Sequence, residues 1–590
     1  MPANSLMYRH DHTTMLCIRL LSVLLRPDQI ESRIMKKGEL NTSSHALLSA
    51  FTANGIDRIF LVPGESYLGI LDALGDFSEI DVVTCRHEGG ASFMACADGR
   101  ITGRPGVVMV SRGPGATNAS IGVHTAQQDG IPLILVVGQI PKGDLRKEAF
   151  QEIDYQKMYG SIAKWVVEVT EPDRLAEAAF KAIRIATSGT PGPVVLVVPE
   201  DIQQQLVEQP SWKAARHAPT LPSSNTVQQI AQLLKSAERP LIIAGGGFAA
   251  PGGRDALLHL AETFDVPVVV SFRRQDIFPN QHALYVGDLG LANPQHQMEA
   301  FESSDLIIAL GTRMGDITTQ GYRFPKLPRP VQTFVHCCDD EHAVGLNIAP
   351  DIGVVCDPVA LAEALVTSTV PLRRDSDWTE RLRVIATKIA QWPAHEVVDG
   401  VPFVDVVRSL ASHAPADVSI CLDAGTFAAP VYRYFPFCFP QRLMAPLSGA
   451  MGYGTPAAIA TQLRLPGQKT VCLVGDGGFL MTGNEMIAAV ERNLPILFIL
   501  SNNNCYGSIR IHQERTYPGR HVGTTLSNPD FIKIASAFGV ESERISRPDE
   551  IDSAIKRGLT AQGPYFIEVT SSLAAVLPHG AAASLERTGD

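Results

Sequence analysis

Short apolar runs recur along the chain at 107–110, 131–137, 194–198, 241–244, 266–270, 306–309, 471–474 and 495–500, and amphipathic helical patterns alternate with them. Runs that are apolar on both faces and separated by helices predict buried parallel strands rather than half-exposed antiparallel ones. Two stretches break this rhythm. Residues 205–225 and 368–400 are rich in proline, charge and polar side chains, which reads as linker composition. The fold class that follows is α/β, with three doubly wound parallel-sheet domains at 36–205, 225–368 and 400–575. Residues 1–35 form an N-terminal extension.

The first and third units share one design. Val107-Val108-Met109-Val110 runs into the turn Ser111-Arg112-Gly113-Pro114-Gly115, as Val471-Cys472-Leu473-Val474 runs into Gly475-Asp476-Gly477-Gly478. A second apolar run follows at nearly the same spacing in each, and a glycine- and alanine-rich helix precedes each. This pattern predicts two related domains facing one site, with a distinct domain between them.

Composition narrows the class. The chain has 590 residues, 50 basic against 61 acidic side chains and a net charge of −11, spread without a basic face. A sequence-independent nucleic-acid binder is thereby excluded. With 45% apolar residues, several cores can be buried. Ten cysteines without a CxxC pair argue against a disulfide framework and for a reduced, cytoplasmic setting. The apolar patch from Met15 to Leu25 is cut by Arg19 and is too short to span a membrane. Residues 1–34 read as an appendage. Their arginines leave organellar targeting open as an alternative, although Asp11, Asp28 and Glu31 fit a transit peptide poorly.

The strongest chemical signal is Gly475-Asp476-Gly477 followed by Asn502-Asn503 at the end of the next predicted strand. Both polar side chains then emerge at the carboxyl edge of a parallel sheet, where α/β folds bind ligands. A carboxylate and an amide oxygen form a hard-oxygen pair suited to Mg²⁺, with phosphate and water completing the octahedron. Gly477 and Gly478 let backbone approach a phosphate, and the following helix adds N–H donors.

This pairing resembles the thiamin diphosphate motif, and the chain is similar over about residues 40–575 to the acetolactate synthase branch of that family. The likeness rests on Arg86-His87-Glu88-Gly89-Gly90-Ala91, Gly113-Pro114-Gly115-Ala116-Thr117-Asn118, Gly138-Gln139, Ala149-Phe150-Gln151-Glu152, Ser448-Gly449-Ala450-Met451-Gly452-Tyr453-Gly454, the aspartate–asparagine pair and Asn528-Pro529-Asp530-Phe531. The resemblance implies that Asp476, Asn503 and the Cys505 carbonyl hold Mg²⁺, and that Glu88 hydrogen-bonds the aminopyrimidine and relays a proton through it. Met451 would bend the cofactor and the Gly449 carbonyl would meet its amino group. Thr426, Gly475, Gly477, Gly478, Tyr506 and Gly507 would complete the cofactor cradle, and Gln127 and Gln151 would join Glu88 as catalytic residues. The family's sites lie between subunits, so the resemblance also implies a homodimer or tetramer. The expected reaction is decarboxylation of a 2-oxo acid with carboligation to a second carbonyl compound. A simple decarboxylase, or a carbon–carbon lyase releasing an aldehyde, is the alternative, and a non-catalytic homologue is a third reading.

Three positions depart from the family. Gln127 replaces an aromatic residue, and Ser508 and His512 replace a methionine and a tryptophan, so the substrate pocket is more polar and acceptor choice is open. The family's non-redox FAD would use Gly245-Gly246-Gly247 and Gly311-Thr312-Arg313, but packing turns explain these equally well. Gly287-Asp288-Leu289-Gly290 also differs from the family's segment there, so FAD is not favoured. Cys337 and Cys338 read as buried fillers.

Overall fold

The computed structural model describes residues 40–209, 213–214, 218–374 and 376–576. The N-terminal extension proposed for residues 1–35 therefore lies outside the described residues. Three six-stranded sheets, parallel throughout, carry the chain. Every apolar run named above forms a strand in one of them. With strands numbered in chain order within each sheet, the first and third sheets share the order 2-1-3-4-6-5. The central sheet has the order 3-2-1-4-5-6. The internal duplication read from sequence is thus a duplication of topology.

Two glycine- and alanine-rich helices, Glu88–Thr102 and Gly454–Arg464, press the first and third domains together in one core that both share. Their small side chains allow close approach, and the Phe93 ring meets the Tyr453 ring edge-on at 5.5 Å. Arg464 Nε donates to Asp98 Oδ1 at 2.6 Å across this interface, and both side chains are largely shielded from water.

One expectation is corrected. The stretch 368–400 contains the helix Trp378–Ile389, with Trp378 and Leu382 buried in the central domain's core and Trp378 Nε1 donating to Pro240 O at 2.8 Å. Trp378, Leu382 and Ala386 recur every fourth residue, so one apolar stripe suffices to dock a helix whose exposed residues are mostly charged or polar.

In the central sheet the strand order reverses between Pro240–Ala244 and Leu306–Leu310. The turns after these strands pack on each other there. Gly245 N donates to Leu310 O at 2.9 Å, and Gly247 N to Gly311 O at 3.0 Å. A Cβ on Gly247 would lie 2.6 Å from Pro358 and 2.8 Å from Gly311 Cα. Backbone-to-backbone packing therefore accounts for these glycines without a dinucleotide. Cys337 and Cys338 are buried, as the sequence predicts.

Candidate active site

The site is built on three neighbouring strands of the third domain, Ser419–Leu422, Thr470–Gly475 and Ile496–Asn502. Gly475 pairs with Ser501, so the register sets Asp476 opposite Asn502 rather than Asn503. The helix begins at Asp476 itself and runs to Thr482. Asp476 is 3% exposed, and Gly477 N donates to its Oδ1 at 2.8 Å. Burial raises its carboxyl above the usual range, against the pull of surrounding donors.

A residue the sequence reading did not assign completes the cluster. Asn528 Nδ2 donates to Asp476 Oδ2 at 2.8 Å and to Asn502 Oδ1 at 2.9 Å. Asn528 Oδ1 is buried with no hydrogen-bond partner, so a hard oxygen acceptor stands unsatisfied at the strand tips. Its signal in the sequence is the motif Asn528-Pro529-Asp530-Phe531. Asn503 Oδ1 turns back to accept from Cys505 N at 3.1 Å. The loop beyond it is latched by Tyr506 N donating to Thr524 O and Leu526 N donating to Asn504 O, both at 2.8 Å. That latch leads the chain directly to Asn528.

Gly477 and Gly478 leave room for protein neighbours. A Cβ on Gly477 would lie 2.3 Å from the Tyr506 ring, and one on Gly478 would lie 2.9 Å from the Asp423 carboxylate. Thr426 Oγ1 sits 3.1 Å from where a Gly507 Cβ would be, so the third strand tip reaches the same place. Gly449 has φ +69 and opens onto free space. Half-buried Met451 follows in the same turn.

Two buried carboxylates hold that turn. Asp129, the last residue of the helix Pro114–Asp129, accepts from Leu447 N and Ser448 N, each at 2.8 Å. Asp423 accepts from Gly452 N at 2.9 Å and from Gly454 N at 3.1 Å. Neither was singled out from sequence, because a carboxylate bonded to distant backbone leaves no local pattern. Burial pushes the Asp423 carboxyl up to about 6, although four backbone contacts pull the other way. A raised folded-state pKa stabilises below the unfolded value and is lost as pH rises through the folded value. Relative to Asp423→Asn, the wild type should therefore lose part of its stability advantage between pH ~4 and ~6. Urea unfolding across that range tests this; an advantage independent of pH would contradict it.

In the first domain, half-buried Glu88 opens its helix. Glu88 Oε2 accepts from Asn118 Nδ2 at 2.9 Å, and Oε1 lies 3.2 Å from where a Gly115 Cβ would be. Gln151 packs on the other side of the same glycine turn, its carbonyl 2.7 Å from where a Gly113 Cβ would be. Its φ of 64 is unusual for a side-chain-bearing residue. It lines a cavity of about 600 Å³ together with Gln139 and Tyr155. The structure thus brings Glu88 and Gln151 to one turn. Gln127 lies nine residues beyond Asn118 on the helix, about 13 Å at 1.5 Å per residue. Its carbonyl accepts from Arg313 at 3.4 Å. Ser508 and His512 lie four residues apart on the helix Gly507–Thr516, half-buried and exposed respectively.

Among the described residues no cluster of three or more His, Cys, Asp or Glu side chains could hold a metal. A cation here would depend on one carboxylate with amide and backbone oxygens, a donor set that suits Mg²⁺. Asp476, Asn502, Asn503, the unpartnered Asn528 Oδ1 and the Cys505 carbonyl fit that requirement. Replacing Asn528 by alanine should weaken Mg²⁺-dependent thiamin diphosphate binding ~10–100-fold, as expected for losing a partner that orients ligands. Calorimetry in magnesium buffer checks this, and unchanged affinity would remove Asn528 from the site.

A glycine-lined carboxylate–amide cradle at the carboxyl edge of a duplicated parallel-sheet fold defines a thiamin diphosphate enzyme, and the comparisons with known proteins agree. Family models described as the N-terminal binding, central and C-terminal binding domains of thiamine pyrophosphate enzymes match residues 41–158, 227–365 and 423–569. The chain is 30% identical over 559 residues to a probable acetolactate synthase large subunit of Methanocaldococcus jannaschii, covering 91% of this chain and 93% of that protein. It is 30% identical over 543 residues to the acetolactate synthase isozyme 3 large subunit of Escherichia coli (strain K12), covering 88% and 92%. Against the chloroplastic acetolactate synthase 2 of Nicotiana tabacum it is 30% identical over 566 residues, covering 92% and 83%. The chain belongs to the acetolactate synthase-like family of thiamin diphosphate-dependent carboligases.

Proposed function

We propose that this carboligase uses Mg²⁺ and thiamin diphosphate to decarboxylate a 2-oxo acid and join the remaining fragment to a second carbonyl compound, with polar substituents favoured on the acceptor. When bound, thiamin diphosphate supplies the electron sink that lets carbon dioxide leave. The observation that carries the reading is Asp476 and Asn502 gathered on Asn528, whose own Oδ1 lacks a partner. Asp476, Asn502 or Asn503, and the Cys505 carbonyl would hold the cation. Gly475, Gly477, Gly478, Thr426, Tyr506 and Gly507 would hold the diphosphate, and Gly449 and Met451 would hold the pyrimidine. Glu88, oriented by Asn118, would hold and give up a proton at its carboxylate. Gln151, at the cavity beside the same glycine turn, would bind the substrates. Ser508, in place of a methionine, supports the more polar acceptor.

Glu88 and Asp476 stand on separate domains, and the hydrogen-bond partners of each carboxylate among the described residues belong to its own domain. This supports sites completed by a second copy of the chain, in a homodimer or tetramer. The central domain is assigned no flavin, because packing accounts for its turn glycines. No helix among the described residues is long and apolar enough to cross a membrane. The nine cysteines among them are free, which supports a reduced compartment, and we assign the cytoplasm.

The test is a panel of 2-oxo acids supplied to purified protein with thiamin diphosphate and Mg²⁺, with and without an added aldehyde. Carbon dioxide release with a coupled hydroxy-ketone product is expected. Release of a free aldehyde alone, with every pair, would overturn carboligation in favour of simple decarboxylation.

A further inference from the structure

The residues that lead into Glu88 are held from the far end of the chain. Glu485 closes the short turn Gly483–Glu485, between the helix that starts at Asp476 and the helix Met486–Glu491. Its residue is 0% exposed. Oε1 accepts from His87 N at 2.8 Å and from Arg86 N at 3.1 Å, and Oε2 also lies 3.1 Å from Arg86 N. These donors immediately precede the helix that Glu88 opens, where backbone N–H groups lack partners within the helix. A carboxylate also suits the positive end of the helix dipole.

The fit is close on the other side as well. A Cβ on Gly90 would lie 2.6 Å from Glu485 Oε1 and Cγ, so Gly90 admits the carboxylate at that depth. The Arg86 side chain turns outward to Glu491, and Arg492 pairs with Asp81 at 2.8 Å. The third domain thus clamps the approach to Glu88 through Glu485 and two ion pairs. Only Glu485 is fully buried and bonded to the backbone adjoining Glu88.

We propose that Glu485 is a positioning residue for Glu88, fixing the backbone at Arg86 and His87 so that the Glu88 carboxylate is presented in one orientation. This rests on the reading of Glu88 given under the proposed function. Glu485 touches neither substrate nor cofactor in this account. Its Gln variant is nearly isosteric, but the amide nitrogen replaces one acceptor with a donor facing backbone donors.

The experiment uses the full chain and the variants Glu485→Gln, Glu88→Gln and the double variant. Hydrogen exchange on the cofactor-free protein is the first readout. Faster exchange in a peptide spanning Arg86 and His87 is expected in Glu485→Gln, and unchanged exchange would overturn the proposal. Turnover with thiamin diphosphate and Mg²⁺ is the second. Glu485→Gln should lower kcat ~10-fold, with KM for the 2-oxo acid and thiamin diphosphate affinity held, a size within the range for coupled neighbours. In the double variant the loss should match that of Glu88→Gln alone. Losses that multiply would show Glu485 acting independently of Glu88 and would overturn the positioning role. Full activity of Glu88→Gln alone would overturn the underlying reading, and the positioning role with it. Should Glu485→Gln fail to fold, Gly90→Ala serves, since it displaces the carboxylate while helix propensity favours alanine. A folded Gly90→Ala enzyme with normal exchange and kcat would overturn the proposal.

Discussion

Replacement of Asp476 by alanine is expected to abolish turnover and to remove measurable thiamin diphosphate binding in magnesium buffer. Asp476 is the only carboxylate in the proposed cation cradle, and it accepts from Gly477 N and Asn528 Nδ2. Losing it withdraws the charge that would balance the cation. The loss of affinity should exceed the ~10–100-fold expected for Asn528→Ala, since Asn528 offers only a neutral amide whereas Asp476 supplies the charge. The folded state should survive. Its cost is an unpaired amide donor on Asn528, ~1–3 kcal/mol. Calorimetric titration and thermal unfolding of the same sample separate the two effects. Retained nanomolar or micromolar binding in a folded Asp476→Ala protein would move the diphosphate away from these strand tips.

Replacement of Glu88 by glutamine should leave binding intact and slow the reaction ~10²–10⁴-fold, the range for losing a positioned general acid–base group. Glutamine keeps the shape and an oxygen for Asn118 Nδ2, and it adds no bulk toward Gly115. What it removes is the capacity to carry a proton between ionised and neutral forms. The loss should therefore fall on kcat, with thiamin diphosphate affinity nearly unchanged, because the Asp476 cradle lies on another domain. Steady-state carbon dioxide release measures it. Turnover near the wild-type rate would remove Glu88 from the chemistry.

The two variants bracket the site from its two halves, and they show where the sequence was informative. Asp476 and Glu88 each stand in a glycine-marked strand–turn–helix unit, and such units carry local signals in periodicity and glycine placement. Helix Trp378–Ile389 was hidden by its polar surface, since its single apolar stripe is diluted in a charged stretch. Which amide faces Asp476 is a further case: the resemblance implies Asn503, whereas the strand pairing sets Asn502 opposite it. A one-residue difference in strand register settles that question, and register depends on the whole sheet.

The three parallel-sheet units, the relation between the first and third, and the strand tips that carry the cradle are written in local sequence. Buried parallel strands must be apolar on both faces, and tight turns at their ends require glycine, so both leave marks within a few residues. Only the tertiary structure decided that Asn528 gathers Asp476 and Asn502, that Asp129 and Asp423 pin the Gly449 turn, and that Glu485 grips the backbone before Glu88. Each of these is a side chain bonded to groups far away in the chain, from 26 residues for Asn528 and Asn502 to 399 for Glu485 and Arg86. Backbone N–H donors are alike at every non-proline residue, so nothing in the local sequence reveals which one a buried carboxylate will find.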